Sequence, residues 1–221
     1  MKKKSKKKSK KIIILSLFVI LLLGAYFIYN KYYNSNEDEV KVINTITKYN
    51  YTLKENETEI YKDEFSNLKK ILKEDDVDYE KYAISISKLF IIDFYTLSNK
   101  LSKNDIGGTQ FIKEDMRDNF IDQARNTFYR YIEVNNKNQD LPTVKGITDV
   151  SVQKTTFGIK DLSTTTTSSS YYKKTTSSNV TQVDAYKVSI SWEYEDDYGY
   201  ETKANLVLIK DNKKLAIVEM D

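Results

Sequence analysis

The hydrophobic and polar positions divide the chain into a short apolar segment near its start and a long mixed segment after it. Residues 12–29 read IIILSLFVILLLGAYFIY and contain no charged side chain. A helix of 18 residues extends about 27 Å, which is close to the hydrocarbon thickness of a bilayer. The pattern therefore predicts a membrane-spanning helix. A cleaved secretory signal is the alternative, but the apolar run is long and ends without the small-residue pattern of a cleavage site.

Residues 30–50 connect the apolar segment to the rest of the chain. Hydrophobic residues recur at every third position from Val40 to Ile46, which predicts a juxtamembrane helix or linker here. Residues 51–54 are expected to form a short extended break. We place the external domain at residues 51–221.

Three helices are predicted from apolar residues that recur at helical spacing. They cover residues 57–73, 79–101 and 111–134. Thr58 or Asn56 is available to cap the first helix. The second helix is apolar on most of its sides, so we expect it to be central and buried.

From residue 143 onward the hydrophobic period changes from 3.6 to 2, which predicts strands. These strands form an antiparallel meander, and they cover residues 143–157, 184–194, 200–210 and 215–220. Residues 162–179 read LSTTTTSSSYYKKTTSSN and cannot supply a core, so we expect a long hairpin loop. Two alternatives stay open for this loop: a surface that orders on a partner, or an extension of the strands.

Helices followed by a meander indicate an α+β fold. We expect about three helices packed on a curved antiparallel sheet of about four strands. Phe90 and Phe94 mark the face of the central helix that we expect against the sheet. Trp192, Tyr186 and Ile190 mark the corresponding face of the sheet.

The charges are distributed unevenly along the chain. Eight lysines precede the apolar segment, whereas the positions directly after that segment have one lysine and three acids. Because positive flanks face the cytoplasm, we expect the tail of residues 1–11 inside the cell and the domain outside. The tail also has the charge to contact anionic lipid at the cytoplasmic face, and it lacks the arginines and aromatic residues that would favour nucleic acid. Its lysines are Lys2, Lys3, Lys4, Lys6, Lys7, Lys8, Lys10 and Lys11.

Composition excludes several kinds of chemistry. The chain has no Cys and no His, which removes disulfides, thiol nucleophiles, Ser-His-Asp triads and most zinc and copper sites. After the tail it carries 27 basic and 32 acidic residues, a net charge of −5, so nucleic acid is not expected as an external partner. We predict no catalytic residue, no cofactor, no metal ligand and no enzymatic activity.

Asp93 is the residue with the strongest case for chemistry. It lies within the apolar run of the central helix, where a buried carboxylate is costly unless it is paired. One interpretation is a general acid or base in a pocket with Phe90, Phe94, Tyr186 and Trp192. The other is structural: an ion pair, a hydrogen bond to a tyrosine hydroxyl, or a position on the wet edge of the helix.

Two further groups of charged residues have both functional and structural interpretations. Arg117, Arg125 and Arg130 are the only arginines, and they suit an anionic partner or acids on neighbouring turns. Residues 193–197 contain four acids, which suit a cation or ordinary turn chemistry.

A short tail, one anchor, a few helices and an antiparallel sheet resemble the layout of the VirB8-type proteins of bacterial conjugation machinery, including TcpC-like members of Gram-positive systems. The resemblance covers residues 2–33 in layout and residues 57–220 in element order, without a shared motif. It implies an NTF2-like, or cystatin-like, fold and a non-catalytic scaffold that docks to membrane or wall proteins. The same layout is similar to NTF2-like external domains of other bacterial envelope proteins.

These patterns lead to one expected function and two alternatives. We expect a single-pass protein of the cell membrane whose external domain binds other envelope proteins or a second copy of itself. The first alternative is an NTF2-like pocket that binds or converts a small molecule. The second is a stationary tether in wall or lipid homeostasis.

Overall fold

The computed structural model describes residues 22–26, 40–132, 139–162 and 178–221, without the side chains of residues 160–162, 178 and 179. The chain separates into two units, Met1–Glu39 and Val40–Asp221. In the first unit, residues 22–26 are helical, and the rest of the predicted tail and span lies outside the described residues. Among the described helices, none combines the length and apolarity needed to cross a bilayer.

The second unit has an α+β fold, as the sequence predicts. In chain order, its elements are strands β1 (Val42–Ile46) and β2 (Tyr51–Lys54), helices α1 (Glu59–Ile71) and α2 (Tyr79–Tyr95), two short 3-10 helices (Thr109–Phe111 and Glu114–Met116), helix α3 (Arg117–Asn126), and strands β3 (Val144–Leu162), β4 (Ser178–Tyr194), β5 (Lys203–Asp211) and β6 (Lys214–Met220).

A juxtamembrane helix or linker is predicted over residues 30–50, of which residues 30–39 lie outside the described residues. The helix is wrong for Val42–Ile46, because β1 forms there and pairs antiparallel with β2. Four of the five residues of β1 are β-branched, and such side chains favour a strand over a helix. The hairpin is held by Tyr51, whose hydroxyl lies 2.7 Å from the Tyr82 hydroxyl and donates to the Leu215 carbonyl at 3.2 Å. These contacts with distant parts of the chain select the strand.

Helix α1 confirms the predicted cap, since the Thr58 side chain accepts a hydrogen bond from the backbone of the first turn. Helix α2 is buried over most of its length and begins at the Asp78 cap. It ends at Tyr95, earlier than predicted. Thr96 is extended, and its hydroxyl accepts from the Val144 N–H at 3.2 Å, so the chain leaves the helix to meet the sheet.

The third predicted helix is broken into the two 3-10 helices and α3. The break follows from Ile112 and Lys113, which bridge to the edge strand β6 through the Ile217 carbonyl. Aromatic rings of the α3 region pack on α2: the Phe120 ring centroid lies 5.3 Å from that of Phe94, and the Phe128 centroid lies 5.7 Å from it.

The four later strands form one antiparallel sheet in the order β3-β4-β5-β6, which confirms the predicted meander. On its core face, Trp192 meets Tyr95 with ring centroids 4.5 Å apart. Tyr186 stacks on Tyr79 at 6.5 Å. The aromatic contacts between sheet and α2 thus form at the two ends of the helix, whereas Phe90 and Phe94 meet the rings of the α3 region.

Strands β3 and β4 are longer than predicted and extend into both ends of the low-complexity segment. Their pairing continues to Leu162 opposite Ser178, whereas β5 pairs with β4 only from Ala185 to Ser191. The distal parts of β3 and β4 therefore form a two-stranded extension of the sheet, which we call the β3–β4 ribbon (residues 156–162 and 178–184). Residues 163–177 of the predicted loop lie outside the described residues.

Candidate functional site

The five pocket candidates lie in or beside the core. Phe90, Phe94 and Trp192 are buried, Asp93 is 8% exposed, and Tyr186 is half-buried. Neither of the two surface clefts described below is lined by any of them.

Asp93 takes part in a buried ion pair. Lys100 Nζ donates to Asp93 Oδ1 at 2.5 Å, and the Gly108 N–H donates to Oδ2 at 2.7 Å. Burial by itself lowers the pKa of Lys100, but the Asp93 carboxylate, acting together with Tyr129 and Glu57, raises that pKa above its ordinary value. Lys100 therefore stays charged, and the pair joins α2 to the loop that follows it.

Tyr129 supplies a second link between the same loop and α2. Its hydroxyl donates to the Phe94 carbonyl at 2.7 Å and accepts from the Gly107 N–H at 3.1 Å. Burial raises the pKa of Tyr129, so the phenol keeps its proton at physiological pH and serves as a fixed donor. Gly107 and Gly108, two consecutive residues of the loop, are thus both held against α2.

Glu57 is the most strongly perturbed acid near this pair. Burial, followed by the charge of Asp93, raises the pKa of Glu57 to about 7, against the opposing charges of Lys100 and Lys54. The Asn99 amide lies 3.4 Å from Glu57 Oε2. We refer to Glu57, Asp93, Lys100, Gly108 and Tyr129 together as the buried polar cluster.

Two of the clefts on the described surface of the second unit have charged residues in their walls. The first, of about 400 Å³, includes Glu57 in its wall, together with Lys145 and Glu195. The second, of about 300 Å³, lies between the β1–β2 turn and the β5–β6 turn, and we call it the turn cleft. Its charged lining residues are Lys48, Glu114, Arg117, Asp211, Lys213 and Lys214.

The sheet has one covered edge and one open edge. At β6, the Lys113 N–H donates to the Ile217 carbonyl at 3.0 Å and covers part of that edge. Strand β3 forms the other edge, and within the described part of the chain no strand pairs with its outer side. A row of unpaired backbone groups along an edge is a template for pairing with another chain.

The other charged residues considered as candidate sites lie in different parts of the structure. Arg125 pairs with Asp122 on its own helix at 2.9 Å, Arg130 lies over the Tyr131 ring, and Arg117 lines the turn cleft. In the acidic segment, Glu193 pairs with Lys145 at 3.4 Å. Among the described residues, no three acids are grouped closely enough to hold a metal ion.

Comparisons of the chain with protein-family models, curated proteins and solved structures found no match.

Sequence reasoning missed the partners that complete each of these sites. Lys100 follows Asp93 by seven residues, which suggests a shared helix face, but α2 ends between them, so the pair depends on the turn that brings Lys100 back. Glu57 lies among polar residues at the start of α1 and gives no signal of burial. Lys48 and Lys214 meet at the turn cleft only because two distant hairpins are adjacent.

Glu57 makes stability depend on pH. Its ordinary pKa of 4.5 rises to about 7 in the folded state, so between these values the folded state holds a proton that the unfolded state releases. The contribution of Glu57 to stability is therefore greatest below pH 4.5 and is lost as pH rises through 7. We expect Glu57→Gln to gain about 2–3 kcal/mol relative to the native chain between pH 5 and pH 8. Urea unfolding of the full-length chain in neutral detergent, followed by Trp192 fluorescence, measures this difference.

Glu59→Gln is the matched control, because Glu59 lies two positions away and is exposed in an ion pair with Lys62. This variant should keep the pH dependence of the native chain. Equal pH dependence in the native chain and in Glu57→Gln would contradict the assignment.

Proposed function

We propose that this protein is a membrane-anchored scaffold whose external domain binds other envelope proteins or a second copy of itself by strand addition at the β3 edge. The apolar segment of residues 12–29 and the lysine-rich tail support the anchor and its orientation. The absence of Cys and His from the sequence favours binding over catalysis. The open edge of β3 is the observation that carries the proposal.

The β3 edge is suited to a partner strand because a five-residue stretch of it contains little that opposes pairing. Natural sheets protect open edges with charges, prolines or bulges. The two register shifts of β3 lie near its start, before Val150. Residues 155–159, TTFGI, contain neither a charge nor a proline. An extended segment of a partner would gain main-chain hydrogen bonds there, with side chains on alternate faces for specificity.

The β3–β4 ribbon is also packed against the rest of the sheet, and such packing keeps a binding strand in place. Phe157 and Val183 pair across it and pack against a small cluster that includes Ala185 and Ile209. This cluster lies on the face opposite Val188 and Trp192. Because these contacts fix the ribbon to the sheet, the edge is preformed, and a partner would not have to order it on binding.

The NTF2-like and VirB8-type assignments belong to the same proposal. The order of elements, helices before a four-stranded meander, supports these assignments. The register shifts in β3 and β5 also support them, because bulges bend strands and increase their twist, as the curved sheet of such a fold requires. On this proposal the protein is part of a conjugation or secretion type of envelope assembly. The pocket alternative has less support, since Asp93 is engaged by Lys100 and lines neither cleft.

A single experiment tests both the orientation and the edge. The chain has no Cys, so Thr155→Cys on β3 and Ser66→Cys on α1, both at exposed positions, each create one unique thiol. A membrane-impermeant maleimide that carries a photo-crosslinker is added to intact cells that produce the full-length chain. We expect both thiols to be labelled, and light to give adducts of higher mass from Thr155→Cys only. Mass spectrometry of the adduct distinguishes a second copy from another envelope protein.

The external placement and the β3 edge would be contradicted by different results. Labelling that requires lysis of the cells would contradict the external placement. Labelling without adducts from Thr155→Cys, or with equal adducts from Ser66→Cys, would contradict the β3 edge as the binding surface.

A further inference from the structure

The turn cleft concentrates positive charge on an otherwise acidic domain. Lys48, Arg117, Lys213 and Lys214 line it, opposed by Glu114 and Asp211, so its lining has a net charge of +2. The chain after the tail has a net charge of −5. None of the four cations forms an ion pair with a described residue. A cleft with this excess of unneutralised cations attracts anions.

Arg117 is held in place by the backbone. Its Nε donates to the Thr109 carbonyl at 3.1 Å, and Nη2 lies 3.5 Å from the Ile112 carbonyl. These contacts orient the guanidinium plane without neutralising it, and they leave further N–H groups of the fork for a ligand. Arg117 thus has the fixed geometry that recognition of an oxyanion requires.

Lys214 approaches the same cleft from the β5–β6 turn. Its Nζ lies 4.8 Å from the centroid of the Tyr51 ring, and the side chain is half-buried. Burial and the nearby charge of Arg117 lower the pKa of Lys214, against the smaller opposing effects of Glu114 and Asp211. An anion between these two cations would relieve their repulsion.

The walls of the cleft are tight turns, each with one residue in the left-handed region. Asn50 has a φ of 55° in the β1–β2 turn, and Asn212 has a φ of 54° in the β5–β6 turn. Asparagine adopts this conformation more readily than most residues. Short turns with this geometry keep Lys48 and Lys214 beside the cleft, so the site is largely preformed.

We propose that the turn cleft binds a phosphoryl group, either as inorganic phosphate or as an ester on a larger molecule. A phosphate dianion matches the net charge of +2, whereas a carboxylate would leave one cation unneutralised. The arginine fork and the lysine point charge also suit a tetrahedral anion that is approached from two sides. A volume of about 300 Å³ accommodates such a group. The site is separate from the β3 edge and does not depend on the proposed scaffold function.

Rates of lysine acylation, measured residue by residue with mass spectrometry, test this site in the full-length chain in neutral detergent. For a Kd of about 1 mM, phosphate at about 10 mM should slow acylation of Lys214 about tenfold relative to chloride at equal ionic strength. Lys187, exposed on β4, should be unaffected and serves as the internal control. Arg117→Gln should abolish the protection, whereas the matched variant Arg130→Gln should retain it.

The anion series separates the outcomes. Protection by glycerol phosphate as strong as that by inorganic phosphate assigns an ester, and protection by inorganic phosphate alone assigns the free ion. Equal protection of Lys187 and Lys214 would show general screening and overturn the site. Protection by acetate as strong as that by phosphate would overturn the phosphoryl assignment.

Discussion

Lys100→Met should lower the free energy of unfolding by about 3–5 kcal/mol, because it leaves a buried carboxylate without its counter-charge. Lys100 Nζ lies 2.5 Å from Asp93 Oδ1, and the two side chains are 3% and 11% exposed. The Gly108 N–H still donates to Asp93 after the change, but one hydrogen bond from an amide does not replace an ammonium ion. Urea unfolding of the full-length chain in neutral detergent, followed by Trp192 fluorescence, measures the loss.

A double variant separates the lost charge pair from lost packing. Asp93→Asn combined with Lys100→Met keeps an oxygen acceptor for Gly108 and removes both charges. We expect it to recover much of the stability, with a coupling energy of about 2 kcal/mol or more between the two sites.

Lys81→Met is the control on an exposed pair. Lys81 lies 3.3 Å from Asp78, and its side chain is 66% exposed. Pairs in this setting contribute less than about 1 kcal/mol. If Lys100→Met were no more destabilising than Lys81→Met, the buried pair would not be a major contributor to the fold.

The sheet was predictable because alternation is a local property of the sequence. In β4, Val188, Ile190 and Trp192 are buried while Lys187 and Ser189 are exposed, as the two-residue period predicts. The cap of α1 was predictable for the same reason, since a cap depends only on neighbouring residues.

Elements whose conformation depends on distant partners were not predictable in this way. The spacing near residue 40 fits a helix, whereas the β-branched residues there favour a strand, and Tyr51 decides between them through its contacts with Tyr82 and Leu215. The broken third helix has a similar cause, because Lys113 donates to the edge strand β6 and leaves the helical path. Local periodicity contains no information about either contact.

The composition of the candidate sites was even less predictable from local sequence than the elements were. The cost of burying Asp93 indicates that it needs a partner, but it does not identify Lys100. The turn cleft combines two hairpin turns and one helix start that are remote in sequence, so only the fold brings Arg117 near Lys214. The β3 edge is a property of strand order, and alternation along one strand does not determine which strand is at the edge.

The loop that follows α2 is fixed to the helix more tightly than its two glycines suggest from sequence. A glycine pair normally indicates a flexible turn. Here the Gly107 N–H donates to the Tyr129 hydroxyl and the Gly108 N–H to the Asp93 carboxylate. The lack of a side chain at Gly107 therefore permits close approach of two backbone segments, rather than mobility.

Gly107→Ala should lower the free energy of unfolding by about 3 kcal/mol or more, at the upper end of what overpacking costs. A Cβ on Gly107 would overlap the carbonyl oxygen of Asp93 and would lie 2.6 Å from its carbonyl carbon. These atoms belong to the backbone of α2, so they cannot rotate away as a flexible side chain would. Gly146→Ala is the matched control, because its Cβ would meet only Glu193 Oε1 at 4.0 Å and should change stability by less than about 1 kcal/mol. Equal stability of the two variants would mean that α2 and the loop can separate at little cost, and the buried polar cluster would then not be the rigid link that its hydrogen bonds indicate.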